Sequence, residues 1–256
     1  ADVESEGGHV SMLAGNSIEF TDEADAETSG TGTIDLLATG GSIILSTTSD
    51  QTTGSGDVRL WAGTDITLGG TTSTGGNVSV SASTGWIRDG DADGSVDIEA
   101  DGLRLDAAIG IGRLGEDVNP IETTVATLSG RAGSEGISLL ESDALTVGDA
   151  TATISRVAAD AGLSDVTDAT QSDLVTADGS GGSIVLRVTD GDLTLEDGSA
   201  PGDDRAVSAD GTGNIRLEAI DTDHSVTANA DVESDGGDVS ILAGHSIEFA
   251  GEADVD

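Results

Sequence analysis

The chain has no Cys, no Lys and no Tyr, and its 256 residues include only two Pro, two Trp and two Phe. Without Cys there is no disulfide, no thiolate zinc site and no redox pair. Without Lys there is no isopeptide staple and no Lys base. Aromatic side chains make up 2% and the apolar set 36%, below the usual share of about 45–50%, so the core must be thin and built from Val, Ile, Leu and Ala. Positive charge is equally scarce. Nine Arg face 49 acids for a net charge of −40, which disfavours nucleic acid and anionic membrane faces as partners. No apolar run is long enough for a membrane-spanning helix. Neither a phosphate loop nor a nucleophile elbow is present, and His9, His224 and His245 form no spaced ligand set.

What is present is repetition. Residues 1–27 return as residues 230–256, an offset of 229, with 19 of 27 positions identical. Val10, Ala14, Ile18 and Phe20 are kept, Met12 becomes Ile241, and the other changes fall mainly at corner or outward sites. A block that ends by beginning again reads as a length of a longer array, with residues 1–229 as one block and 230–256 as the start of the next. Neighbouring copies of the same repeat are then its first partners.

A shorter period orders the 38 Gly. Apolar residues that open strands recur at Val10, Ile34, Val58, Val78, Val96, Ile137, Ile184, Ile215 and Val239, and all but Ile137 have a Gly two residues earlier. If the two longest intervals each hide one degenerate unit, the block holds about ten units of about 23 residues. Each unit has one grammar. Val58-x-Leu60-x-Ala62 alternates apolar with polar, breaks at a Gly-Thr-Asp corner, and alternates again through Ile66-x-Leu68. Period 2 means strands with one buried face. Two such strands, a tight corner and a looser closing stretch describe one coil of a parallel β-helix, an all-β β-solenoid, with Ala14, Ala38, Ala62 and Ala82 stacked at the bend. A β-sandwich would not repeat one strand-corner-strand unit in this way, and no 3.6-residue apolar spacing persists for helical repeats. Residues 106–178 are the least regular, and are expected to leave the coil in longer excursions with a short helix near 156–163.

The stretches Gly56-Asp-Val-Arg-Leu-Trp-Ala-Gly-Thr-Asp-Ile-Thr-Leu68 and Gly237-Asp-Val-Ser-Ile-Leu-Ala-Gly-His-Ser-Ile-Glu-Phe249 resemble the repeat of filamentous-haemagglutinin-like and other giant bacterial surface proteins. Residues 119–128 and 136–148 are similar to a segment that recurs in very long repetitive exoproteins. The resemblance covers most of the chain. It implies a right-handed parallel β-helix, export to the cell surface, and a role in adhesion or extracellular structure, with a glycan or cell-surface partner. It carries over no catalytic residue.

The acids are patterned. Asp2, Glu4 and Glu6 alternate around Val3, as Asp231, Glu233 and Asp235 do around Val232, which on strands makes an acidic stripe. Residues 230–256 hold eight acids and no Arg, leaving −32 on residues 1–229. Spread over ten coils of about 4.8 Å, that is about 0.7 charge per Å, comparable with the roughly 0.6 per Å of duplex DNA. Such a rod gathers cations. Two readings compete: a solvated face adapted to high salt, and a ladder of divalent-cation sites that could also bridge rods laterally.

One loop is sharper. Asp89-Gly-Asp91-Ala-Asp93-Gly94-Ser95-Val-Asp97-Ile-Glu99 sets oxygen donors at alternate positions with Gly at the sixth, the pattern of an EF-hand-type calcium loop. Asp89, Asp91, Asp93, Ser95, Asp97 and Glu99 are therefore the candidate calcium ligands. Position 12 is Ala100 rather than Glu and no helices flank the loop, so an ordinary Asp/Gly corner is the alternative. Asp203, Asp204, Asp221 and Asp223 are weaker candidates. Parallel β-helices also carry polysaccharide-processing enzymes, which need paired carboxylates or a basic residue beside calcium, usually with aromatic platforms. Only Trp61, expected outward, and Trp86, expected in an inward slot, could serve as platforms. The sequence reads as a structural, non-enzymatic segment, with a carbohydrate-binding or polysaccharide-processing module as the alternative.

Overall fold

The computed structural model describes every residue except 92, 178, 180 and 201. Among the described residues there is no helix. Twenty-six strands form one sheet joined by parallel pairings, and two more form a separate antiparallel pair, an all-β arrangement consistent with a β-solenoid.

Alternation decides which side chains turn inward. On the long face the strands Val10–Ala14, Ile34–Ala38, Val58–Ala62 and Asn77–Ala82 stack in register, and the ladder continues through residues 102–107 and 127–131. Ile34, Val58, Val78 and Leu103 lie over one another with no exposed area, as do Leu36, Leu60, Val80 and Leu105. Ala14, Ala38, Ala62, Ala82 and Ala107 form the small column at the bend. The next face carries an unbroken column from near the start of the chain to near its end: Ile18, Ile43, Ile66, Ile87, Ile111, Ile137, Ile184, Ile215, Val239. A third face of short strands, Val3–Ser5, Ala26–Thr28, Gln51–Thr52 and Thr72–Ser73, closes each turn.

The recurring Gly before each long-face strand has a steric cause. At Gly32 a Cβ would be driven into the Gly8 carbonyl, at Gly56 into that of Gly32, and at Gly237 into that of Gly213. Rungs approach so closely there that only backbone fits. Gly56→Ala is therefore expected to cost about 1–3 kcal/mol by overpacking, read as a lowered denaturant midpoint. A loss under about 0.5 kcal/mol would show that the rungs yield.

Several sequence expectations are corrected. Val96 does not open a strand; Leu103 pairs with Val78 above and Leu128 below, because the acidic loop before it lengthens that turn and the Leu103, Leu105, Ala107 alternation takes the inward slots. The interval from Ile137 to Ile184 hides no unit, since these residues pair directly. The long face climbs five steps from Val10 to Leu128, and three more lead from Ile137 to Val239, so the block holds fewer turns than ten. Much of 106–178 belongs to the ladder. The expected helix near 156–163 is a β-hairpin, Thr153–Val157 against Leu163–Thr167. Its β-branched residues favour extended backbone, and Ala161 at φ +64° closes the turn.

This hairpin is a strap laid along the outside of the long face. Thr153 N–H donates to Asp57 Oδ2 (2.6 Å), Ser155 N–H to Thr33 Oγ1 (3.0 Å), and Val157 N–H to Ser11 Oγ (3.1 Å), one turn of the ladder after another. Beneath it Asp35, with no exposed area, accepts from Arg59 Nη1 (3.2 Å) and Arg156 Nε (2.6 Å), while Arg59 Nε donates to Asp168 (3.0 Å). The strap explains why outward-facing Asp35 and Arg59 are buried.

Candidate metal centre

The acidic loop leaves the sheet at Asp89, the last residue of the strand Trp86–Asp89, and rejoins it at Ile98. Its first carboxylates are engaged by their own backbone. Asp89 accepts the Asp91 N–H (2.9 Å), Asp91 that of Asp93 (3.4 Å), and Asp93 that of Ser95 (2.7 Å), a run of Asx turns. The Ser95 hydroxyl and N–H hold the Asp93 carboxyl below the usual carboxylate range.

Asp97 differs from these. It is 4% exposed, its N–H donates to the Glu122 carbonyl (2.9 Å), and its Oδ2 accepts the Glu122 N–H (3.0 Å), which ties the loop to the following turn of the ladder. Glu122 is itself buried, and its Oε2 has no hydrogen-bond partner among the described residues. Burial, followed by the charges of Asp89 and Glu122, pushes Asp97 up to about 9. Burial and then Asp89 push Glu122 up to about 7, and the same two causes push Asp91 up to about 6. Asp91, Asp97 and Glu122 are thus crowded with Asp89 at one corner of the rod. A cleft of about 150 Å³ opens onto this corner, lined by Asp50, Asp91, Asp93, Ser95 and Asp97 among others.

No family model, curated protein or solved structure matches this chain.

The structure brings Asp91, Asp93, Ser95 and Asp97 to one cleft and sets Asp89 against them. It does not bring Glu99, which is exposed on the strand and lines a separate hollow with Asp101, Thr124 and Asp143. Another carboxylate, Glu122, lies against Asp97 instead, and sequence spacing missed it because it comes from the next turn. Residue 92, inside the loop, lies outside the described residues. The described loop oxygens do not close into a group of three within 4.8 Å; the group that does is Asp190, Asp221 and His224, on the surface, with His224 Nε2 at 3.0 Å from Asp190. Asp221 was a weak sequence candidate. Asp203 pairs with Arg205 (3.5 Å), and Asp204 sits at φ +67° in a turn; neither these two nor Asp223 joins a described metal-type group.

Trp86 does not fill an inward slot. Ile87 does, with no exposed area, because Trp86 is one position out of register and stands outside beside Gly110. A Cβ on Gly110 would meet the indole at 2.7 Å, and the Arg88 guanidinium lies 4.5 Å over the ring. The indole is packed by its own chain. Trp61 is half-buried on the outward register, beside Arg104 and Asp168.

Proposed function

We propose that this chain is a structural segment of a very long exported bacterial surface protein, a stiff acidic shaft, filament or adhesin stalk wound as a right-handed parallel β-helix. The observation that carries the reading is the uninterrupted aliphatic column from Ile18 to Val239, in a chain whose closing residues repeat its opening ones. Each turn buries its apolar residues only against the turns above and below, the energetics of a stacked repeat. A glycan platform is less favoured, since Arg88 occupies one face of the half-buried Trp86 ring and Gly110 packs against it. Antibodies raised against this chain, gold-labelled on intact source cells, should decorate thin surface filaments; label confined to the cytoplasm would overturn the reading.

In the same proposal calcium stabilises the shaft at the Asp91, Asp97 and Glu122 corner. A divalent ion there would relieve the carboxyl repulsion and give Glu122 Oε2 the partner it lacks. Thermal melts should rise in micromolar to millimolar calcium. Mass action gives about 2.7 kcal/mol at a hundredfold excess over Kd, and Asp97→Asn should abolish the response. A rise only in molar sodium chloride would favour the high-salt explanation of the acidity.

A further inference from the structure

The second copy does not return to the face on which the first began. Ile18 opens the second face of its turn, and the column that starts there runs through eight pairings to Val239. Val239 is the counterpart of Val10, not of Ile18, whose counterpart is Ile247. The slip occurs at one place. The strand Gly136–Glu141 stacks its first residues on Gly110–Ile111, of the second face, and its last on residues 121–123, of the third. One long strand thereafter covers two former faces, while the former long face divides, residues 127–128 pairing with 146–147 and residues 130–132 with 174–176. A block is therefore eight turns plus a fraction lying between a third and a half.

The junction between blocks is already visible inside the chain. Arg205–Ala209, Ile215–Ala219 and Val226–Ala228 cover Asp231–Ser234, Val239–Ala243 and Ile247–Phe249 in parallel register. Val232, so covered, has no exposed area, whereas its counterpart Val3 is 45% exposed; Leu13 at the same open end is 54% exposed. The strap points to the same occupant. Its bonds step from Asp57 to Thr33 to Ser11, two strap residues per turn, so the bend at 158–162 overhangs the first turn, and Leu163 beside it is 61% exposed.

We infer that the open first turn, Val3–Phe20, seats the Arg205–Ala228 turn of a preceding copy of this block, that the strap bend clasps that copy, and that each block is rotated on its neighbour by a third to a half of a turn. This rests on the array reading proposed above and adds its geometry. Beneath the bend would lie the outward Arg216 and Glu218 of the preceding copy, setting the Arg216 guanidinium near Asp160 of the bend. Loops such as 112–119 would then point to different sides of the rod in successive blocks instead of forming one row.

The test is a chain of two blocks, residues 1–229 followed by 1–256, with Glu116→Cys in each. Glu116 is exposed, and the absence of native Cys makes the spin labels unique. At about 4.8 Å per turn the blocks are offset by about 40 Å along the axis, and a rod about 30 Å across adds a lateral offset only if they are rotated. Pulsed EPR should read about 50 Å, with small-angle scattering showing one rod lengthened by about 40 Å. A lengthened rod with labels at about 40 Å would overturn the rotation and leave the array standing. Two particles joined without a lengthened rod would overturn both. A second label pair at Asp223→Cys, on another loop, guards against a perturbed first site.

Discussion

Asp35→Ala is expected to remove about 3–5 kcal/mol of stability, the usual cost of leaving a buried charge without its partner. Asp35 has no exposed area and is held by Arg59 from its own face and by Arg156 from the strap. Its loss leaves Arg59, 9% exposed at the side chain, with Asp168 alone, and leaves Arg156 with no described ion pair. The strap crosses three turns but is bound to the rod largely by polar contacts, so it should loosen before the ladder does. Limited proteolysis at 158–162 and hydrogen exchange at Ser155 and Val157 should report that loosening together with the lowered denaturant midpoint. Replacing Asp35, Arg59, Arg156 and Asp168 together with apolar residues should recover most of the loss, because no member of the network then stays buried and unpaired. A single substitution that costs under about 1 kcal/mol with protection unchanged would show that the network does not hold the strap.

Asp173→Asn is expected to act in the opposite direction and only above mildly acidic pH. Asp173 is 1% exposed, and its Oδ1 has no hydrogen-bond partner among the described residues. Burial pushes its carboxyl up to about 7, the Gly198 N–H pulls the other way, and the charges of Asp203, Asp197 and Asp149 push it further. Because the folded value lies above the unfolded one, the protonated group favours folding. Its contribution is complete below pH about 4 and is lost as the pH rises through about 7. Asn keeps the protonated group's shape and tolerates the φ of +68° at this position. The variant should match the parent near pH 4.5 and exceed it by on the order of 3 kcal/mol at pH 8. Denaturant midpoints at pH 4.5, 6 and 8 measure this. Equal stabilities at pH 8 would mean that the carboxylate is solvated in the folded state.

The coil was readable because its cause is local and repeated. Val58, Leu60, Ala62, Ile66 and Leu68 state a period of two twice over, and each successive unit restates it. Reading failed where one residue type fits two registers. Val96 carries the right Gly before it, and Val96, Ile98 and Ala100 alternate just as Leu103, Leu105 and Ala107 do, yet Ile98 pairs with Thr72 on the third face and Leu103 takes the place beside Val78. The hairpin at 153–167 was open to recognition, since Thr153, Ile154, Val157, Val166 and Thr167 are β-branched and Gly162 marks a turn; the run Ala158-Ala-Asp-Ala favours helix instead. At the acidic loop the sequence named Asp91, Asp93, Ser95 and Asp97, which the cleft gathers, but it set Glu99 beside them, and strand alternation turns Glu99 to another hollow.

By itself, then, the sequence determined the all-β repeat, the thin aliphatic core, the acidic surface and the close approach of rungs at Gly. Each of these follows from composition and spacing along a single turn. Tertiary structure alone decided what depends on residues far apart in the chain: Glu122 beside Asp97, Arg156 on Asp35, the strap along the rod, and the fraction of a turn that separates Val239 from the face of Val10. The physical reason is that periodicity records which way a side chain faces within its own turn. The number of residues each loop adds sets which turn it meets next, and no local pattern carries that sum.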